Sequence, residues 1–412
     1  MKKLLKIFML FNIMFVHGQT VNIPDQKFKN TLLSATKTNL IAKDLSDNWV
    51  AIDINNDNEI QLSEAQNISS LYITYRDIES LVGISSFTAL IRLDCRGNKL
   101  STFDLSNNIS LTHLNCSDND LIDLNLNNNI SLTNLVCADN KLSNLDVSNN
   151  TSLLSLSCSR NKLSNLDLSK NILLKSLGLE RNEISNIDFR NNVSLEYLDC
   201  SSNNLSNLDV SNNTSLTYLQ CGYNYTISHL DVSNNVSLIE LYCASNNFST
   251  LDLSNNMSLI RIECGFNENL TSINFKNGNN HNFDNSDPTA TPFILLPNLS
   301  TVCVDDINNV EFLSNFGPSV NFTENCRTLH SNEYFLTNLS LYPIPTSKNL
   351  HIRTNSIIVQ LEIFNNIGQL ISSYSDSNGL IKIDTSELHK GLYFCKVTDD
   401  KGISGTKKII KK

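Results

Sequence analysis

The stretch LEYLDCSSNNLSNLDVSNNTSLTYLQC, residues 195–221, contains one full period of a repeat and the start of the next. Leu195 returns as Leu216, and steps of 21 residues backward meet Leu174, Leu153, Leu132, Leu111 and Leu90. Forward, one extra residue intervenes before Leu238, and Leu259 then follows at the regular distance. A unit this short cannot bury a face alone, so its nine copies must stack on one another. Within each copy apolar positions alternate, as Leu114 and Cys116 do in LTHLNCSDN. That is the period of a strand with one buried and one exposed face. The expected fold is mainly β, a solenoid with one strand per coil.

The first half of the unit, L-x-x-L-x-C-x-x-N-x-L, matches the leucine-rich repeat pattern. Asn98, Asn119, Asn140, Asn161, Asn182, Asn203, Asn224, Asn246 and Asn267 fall at one position in all nine coils. An inward amide there satisfies turn backbone groups that would otherwise be buried unpaired. A second series, Asn108, Asn129, Asn150, Asn171, Asn192, Asn213, Asn235 and Asn256, closes the other bend. Many of these lie in N-x-S or N-x-T triplets, which the repeat explains without glycosylation.

Eight cysteines, Cys95, Cys116, Cys137, Cys158, Cys200, Cys221, Cys243 and Cys264, occupy the strand position where the pattern has Leu, and Leu179 keeps it in the remaining coil. Strands stacked ~4.7–4.9 Å apart hold parallel side chains too far apart for the ~3.8 Å mean Cβ spacing of a disulfide. No His or carboxylate shares their inward face to complete a zinc site. Buried free thiols acting as small hydrophobes are expected. Cys303 differs, because in LSTVCVDD the inward positions fall to Leu299, Val302 and Val304, which turns the thiol outward. A bridge to Cys326 at the end of FGPSVNFTENC is expected in an exported chain. Cys395, in an alternating strand, is expected to be buried.

The chain begins MKKLLKIFMLFNIMFVHGQ, a Lys-rich start and an apolar run that read as a signal peptide of residues 1–18. No later segment approaches the ~20 apolar residues of a membrane span. Net charge is −10 and becomes more negative without Lys2, Lys3 and Lys6, so a phosphate backbone is repelled and nucleic acid is not an expected partner. Residues 337–412 are instead net basic, which marks a separate module.

The expected organisation is a helical N-terminal cap over 19–70, a solenoid over 71–306 with regular coils over 90–278, a C-terminal cap and linker over 307–336, and a small β-sandwich over 337–412. In the cap, Phe28, Leu32 and Leu33 share one helical face after Pro24 and Asp25. The stretch DINNDNEIQLSE, residues 53–64, has the spacing of an EF-hand calcium loop. Asp53, Asn55, Asp57, Glu59 (by its carbonyl), Gln61 and Glu64 would supply the ligands to Ca2+. Asn58 replaces the usual glycine and is among the few residues that tolerate the left-handed turn needed there. A polar turn without metal is the alternative.

The run VNIPDQKFKNTLL, the loop ending in SEA, coils such as LDVSNNTSLTYLQC and the closing LSTVCVDD together resemble exported leucine-rich repeat proteins of Bacteroidetes. The tail segments LSLYPIPTSKNLHI, LEIFNNIGQLI, IDTSELHKGLYFCKV and GTKKIIKK are similar to the type IX secretion sorting domain, with Ile344 where that family usually has Asn. The resemblance implies recognition of residues 337–412 by the secretion machinery at the outer membrane, followed by release or attachment at the surface. An extracellular or outer-membrane surface location is expected.

An enzyme needs convergent groups, and His113, His229, His281, His330, His351 and His389 are scattered over different modules, so no reaction is expected. Binding leaves another trace, because exposed strand positions need not repeat. Tyr197, Tyr218 and Tyr242 come from three successive coils, beside Asp199, Gln220, Glu240, Arg261 and Glu263, and Tyr223, Tyr225 and Phe266 lie just past the same strands. Aromatic residues among polar groups suit a protein or glycan ligand on the concave strand face of a monomer. A passive structural coat protein is the alternative.

Overall fold

The computed structural model describes residues 18–282, 293–309, 313–326, 339–354, 357–365, 368–375, 382–399 and 404–412. All of the expected signal peptide but Gly18 lies outside them, as do residues 310–312 and 327–336 of the expected C-terminal cap and linker. The chain divides into two compact units, one comprising residues up to 301 together with 305–321, the other 302–304 together with 322–412.

The first unit opens with helix α1 (Gln26–Leu33), strand β1 (Ala42–Asp44), the single turn α2 (Leu62–Ala65) and β2 (Ile68–Tyr72). Then come β3 (Arg92–Asp94), β4 (His113–Asn115), β5 (Asn134–Val136), β6 (Ser155–Ser157) and β7 (Ser176–Gly178). After them follow β8 (Tyr197–Asp199), β9 (Tyr218–Gln220), β10 (Glu240–Tyr242), β11 (Thr250–Asp252), β12 (Arg261–Glu263) and β13 (Ser272–Asn274). Strands β1 to β10 and β12 form one sheet of eleven strands in chain order, and β11 pairs with β13 elsewhere. Only β1 runs antiparallel to its neighbour; from β2 onward each strand repeats the register of the last, Leu93 beside Leu114 beside Leu135. From β3 to β10 and in β12 the middle residue is buried, as is the cysteine just past it (Leu179 after β7), and the flanking residues other than Asp199 are partly or fully exposed.

The N-terminal cap is less helical than the sequence implies. It contributes β1 and β2 to the solenoid sheet, and α1 is its one helix longer than a turn. Phe28 and Leu32 are buried on α1 as expected, with Thr31 rather than Leu33 completing the buried face. Asp25 caps the helix through the Phe28 amide (2.9 Å), and its other oxygen accepts from the amides of Glu79 (2.8 Å) and Ser80 (2.9 Å). One side chain therefore ties the helix start to the segment that leads into the first regular coil.

The two asparagine series do different work. Asn119 donates to the carbonyls of Cys95 and Cys116 (both 3.1 Å) and accepts from the Leu100 amide (3.1 Å), so one amide stitches two coils. In the second series Asn150 donates to Leu126 (3.2 Å) and Asn129 (2.8 Å) carbonyls, but its Oδ1 has no partner among the described residues, a feature shared by the other seven. The eight strand cysteines are free and fully buried. Burial pushes the Cys158 and Cys221 thiols up to about 12, so these thiols stay neutral and act as packing groups.

Beyond β13 lie β14 (Thr301–Cys303) and β15 (Asn321–Thr323). Cys303 is bonded to Cys326 across a Cα–Cα distance of 5.5 Å. Leu299, Val302 and Val304 are buried as expected, yet Cys303 is buried too. The outward thiol foreseen from alternation is thus itself covered in the bridged structure.

The tail forms β16 (Ser340–Tyr342), β17 (Asn349–Arg353), β18 (Ile358–Asn365), β19 (Leu370–Ser375), β20 (Lys382–Asp384), β21 (Gly391–Asp399) and β22 (Ser404–Lys411). One sheet has the order β16-β17-β20, the other β19-β18-β21-β22. Leu350, Ile352, Leu361, Ile363, Ile383, Cys395, Val397 and Ile409 share one core between them.

Candidate functional site

The solvent-facing side of the main sheet carries two columns of side chains, one from the first and one from the third residue of each strand. In the first column Tyr197, Tyr218, Glu240 and Arg261 are successive neighbours; in the third, Asp199, Gln220, Tyr242 and Glu263. Because parallel strands repeat at ~4.8 Å, residues in one column stack. The Tyr197 and Tyr218 rings lie 4.4 Å apart at 12°, and Tyr242 continues the row at 5.4 Å and 39° from Tyr218. Tyr197 is 38% exposed; Tyr218 and Tyr242 are half-buried.

Polar groups fix these rings from below. The Tyr218 hydroxyl donates to Gln220 Oε1 (2.6 Å), and that of Tyr242 to Glu240 Oε2 (2.7 Å), which Arg261 also approaches at 3.5 Å. Burial raises all three phenols above their ordinary value, so they remain neutral at physiological pH. Asp199 is buried and accepts from the amide (3.0 Å) and hydroxyl (2.6 Å) of Ser201; desolvation raises its carboxyl. Ser201, whose Oγ also receives the Gln220 amide at 3.5 Å, is a support that the sequence reading missed. The sequence did carry a signal for it: Asn115 and Ser117 make the same short bond (2.7 Å) at the same positions of an earlier coil.

The extra residue in the repeat falls beside this row. Between Asn224 and Ile227 the chain makes a tight turn, the Thr226 amide donating to the Asn224 carbonyl at 2.7 Å. Asn246, one coil on, loses the acceptor bond made by most of its series, and its Oδ1 is left without a partner among the described residues. Tyr223 and Tyr225 adopt left-handed backbones (φ 58° and 61°), as does Phe266 (φ 58°), and these three are 47%, 68% and 45% exposed. Aromatic residues rarely take that conformation, which costs roughly 1–2 kcal/mol each. The position of Tyr223 and Phe266 is left-handed in the other coils too, at Asp118, Asp139, Arg160, Arg181, Ser202 and Ser245, so the repeat itself sets it, and of the three only Tyr225, next to the extra residue, departs from the repeat.

The cap loop brings its candidate ligands together in a closed network. Asp53 accepts from the amides of Asp57 (3.3 Å) and Asn58 (3.1 Å), and Asn58 takes the left-handed turn (φ 65°). Glu64 accepts from Ile54 (2.8 Å) and Gln61 (2.9 Å) amides. The Asp57 carboxylate receives the side-chain nitrogens of Asn55 (3.0 Å) and Gln61 (2.9 and 3.1 Å), while Lys29 holds the Glu59 carboxylate at 2.6 Å. The donor set is one of hard oxygens and suits calcium chemically. In this arrangement, however, the Asn55 and Gln61 amides offer nitrogen to Asp57, and a cation would need both turned to offer oxygen. Among the described residues no group of three or more His, Cys, Asp or Glu is placed to hold a metal ion.

A leucine-rich repeat solenoid and a secretion sorting tail together define an exported protein. Residues 340–412 match the secretion system C-terminal sorting domain, here of the type IX kind, which directs the chain to the cell surface or the extracellular space and implies contact with that machinery. No helix among the described residues is long and apolar enough to cross a membrane. No curated protein matches the chain. Among solved structures it is similar to the functional domain of InlJ from Listeria monocytogenes, which includes a cysteine ladder. Identity is 22% and the TM-score 0.42, covering 96% of this chain and 98% of that one. It is also similar to the internalin inlF of Listeria monocytogenes, with 20% identity and a TM-score of 0.48, covering 75% of this chain and 98% of that one.

Proposed function

We propose that this is a non-enzymatic recognition and adhesion protein of the cell exterior. It holds a protein or glycan ligand against the β8–β12 end of its sheet. The observation that carries the reading is the Tyr197–Tyr218–Tyr242 row lying beside the extra residue between Asn224 and Ile227. Stacked rings present a large rigid area whose ordering is already complete before a ligand arrives, so little conformational entropy is lost on binding. Asp199, Gln220, Glu240, Arg261 and Glu263 supply the polar surround, and Tyr223 and Phe266 flank it.

The test is capture by the full chain on a glycan array and a panel of surface proteins. Tyr218→Ala together with Tyr242→Ala should weaken a saturable hit by roughly 30-fold or more, the scale of a binding hot spot, with the melting temperature of the coils nearly unchanged. Unchanged capture would remove the tyrosines from the site, and a chain that captures nothing would favour the coat reading.

We also propose that the 53–64 loop takes calcium in a structural role, supported by its oxygen donor set and the left-handed Asn58. Calcium at about a hundred times its dissociation constant should then add about 2.7 kcal/mol of stability. Glu64→Gln, measured by thermal unfolding with and without calcium, should erase that increment, whatever it does to the starting value. An undiminished increment would place the ion elsewhere.

A further inference from the structure

At the other end of the same sheet, β2 to β5 bound a pocket of about 280 Å³ lined by Tyr72, Arg92, Asp94, His113, Asn115 and Asn134, among others. Arg92, His113 and Asn134 are successive neighbours in one column, and Tyr72, Asp94 and Asn115 in the other. Nothing in the repeat calls for these side chains: the same columns carry Ser155, Ser157, Ser176 and Gly178 in the next two coils.

The hydrogen-bonding state of each group is legible. Arg96 lies 3.9 Å from Asp94, whereas the Arg92 guanidinium makes no hydrogen bond or ion pair to any described residue. Thr112 Oγ1 lies 2.8 Å from His113 Nδ1 and donates its one proton to the Ile91 carbonyl at 3.2 Å. Nδ1 is thereby engaged, which leaves Nε2 as the ring nitrogen open to a ligand. Burial, and then the Arg92 charge, hold the ring's pKa below its ordinary value, so the imidazole is neutral at pH 7. Asn115 uses its carbonyl oxygen on the Ser117 amide (3.2 Å) and hydroxyl (2.7 Å), leaving its NH2 group unengaged, while Asn134 meets the Thr133 hydroxyl at 2.9 Å. The pocket thus offers a free forked cation, an amide donor and a neutral imidazole beside an aromatic ring, with the Asp94 carboxylate facing Arg96 at 3.9 Å.

We propose that this pocket binds an acidic sugar unit. The guanidinium of Arg92 takes the carboxylate with paired N–H donors, a geometry that arginine matches bidentately. His113 Nε2 hydrogen-bonds a ring hydroxyl, the Asn115 amide donates to a ring or hydroxyl oxygen, and the Tyr72 ring lies against the apolar face of the sugar. A volume below the ~300–1,000 Å³ of drug-sized sites limits the occupant to about one sugar residue. Uronic acids of polysaccharides and sialic acids of glycoproteins share this chemistry. The inference is independent of the tyrosine row.

The test is saturation-transfer NMR on the full chain at pH 7 with D-glucuronate, N-acetylneuraminate and, as the neutral counterpart, D-glucose. Transfer to at least one acid and none to glucose is expected, and which acid responds identifies the source. Arg92→Gln should weaken the signal by roughly tenfold or more, the scale of a lost charge-assisted pair, without moving the melting temperature, since Arg92 is exposed. Tyr218→Ala should leave it unchanged. Equal transfer to glucose, no transfer to either acid, or a signal that survives Arg92→Gln would each overturn the assignment.

Discussion

Asn182→Leu is expected to lower the unfolding free energy by about 2–6 kcal/mol, because it orphans the buried Leu163 amide at about 1–3 kcal/mol and removes two further hydrogen bonds at about 0.5–1.5 kcal/mol each, from the Cys158 and Leu179 carbonyls, which keep the Asn161 (3.1 Å) and Asn203 (3.0 Å) amides. The Asn182 amide donates to the carbonyls of Cys158 (3.1 Å) and Leu179 (3.0 Å), and its oxygen accepts from the Leu163 amide at 3.0 Å. Leucine is of similar size, so no cavity complicates the result. Each coil touches only its neighbours, so weakening one central interface uncouples the two halves and should broaden or split the urea transition. Asn150→Leu provides the internal comparison. It takes one hydrogen bond from each of two carbonyls that keep the Asn129 (3.0 Å) and Leu132 (3.1 Å) amides, orphans no backbone amide, and removes the buried Oδ1 that has no partner among the described residues, so it should cost about 1–3 kcal/mol less. Exposed Asn128, bonded to the Ser106 carbonyl at 3.0 Å, should change stability by less than about 0.5 kcal/mol when replaced by Ala. Circular dichroism in urea separates the three; equal losses for Asn182→Leu and Asn150→Leu would mean the Leu163 amide bond contributes nothing.

Why the solenoid was legible and its ends were not follows from the same residues. A 21-residue period repeated nine times over-determines the register, so the leucines, cysteines and first asparagine series could each be placed inward from the sequence. Ala42–Asp44 offers no such redundancy. Three residues cannot display alternation, and its antiparallel pairing with β2 depends on tertiary contact. The burial of Cys303 likewise depends on its bonded partner, which alternation along one strand does not register. At the candidate site the sequence showed which residues share a column, since period and register suffice for that. It did not show that Asp199 is buried on Ser201, or that the inserted residue comes with a left-handed backbone at Tyr225, because both depend on the space left by adjacent coils. Orientation of the Asn55 and Gln61 amides was equally hidden, being set by the carboxylate between them.

Deleting residues 340–412 is expected to abolish delivery to the cell surface or medium, with the chain retained inside the cell envelope. This follows from the sorting domain that those residues match. A subtler variant asks whether it is the fold of the tail that is read. Leu361, fully buried in the core shared by the two tail sheets, would become a buried carboxylate in Leu361→Asp. An unpaired buried charge costs several kcal/mol, comparable with the whole stability of a domain this small, of order 5 kcal/mol. Leu361→Asp should therefore unfold the tail and reduce export to nearly the level of the deletion, while the solenoid, a separate compact unit, keeps its own transition. Ile344→Asn, which changes an exposed residue to the one usual in the sorting family, should leave export intact. Immunoblots of medium, surface and envelope fractions distinguish these outcomes. Full export of Leu361→Asp beside a failed deletion would mean that the machinery reads linear sequence, and would shift attention from the sheets to the exposed segments that join them.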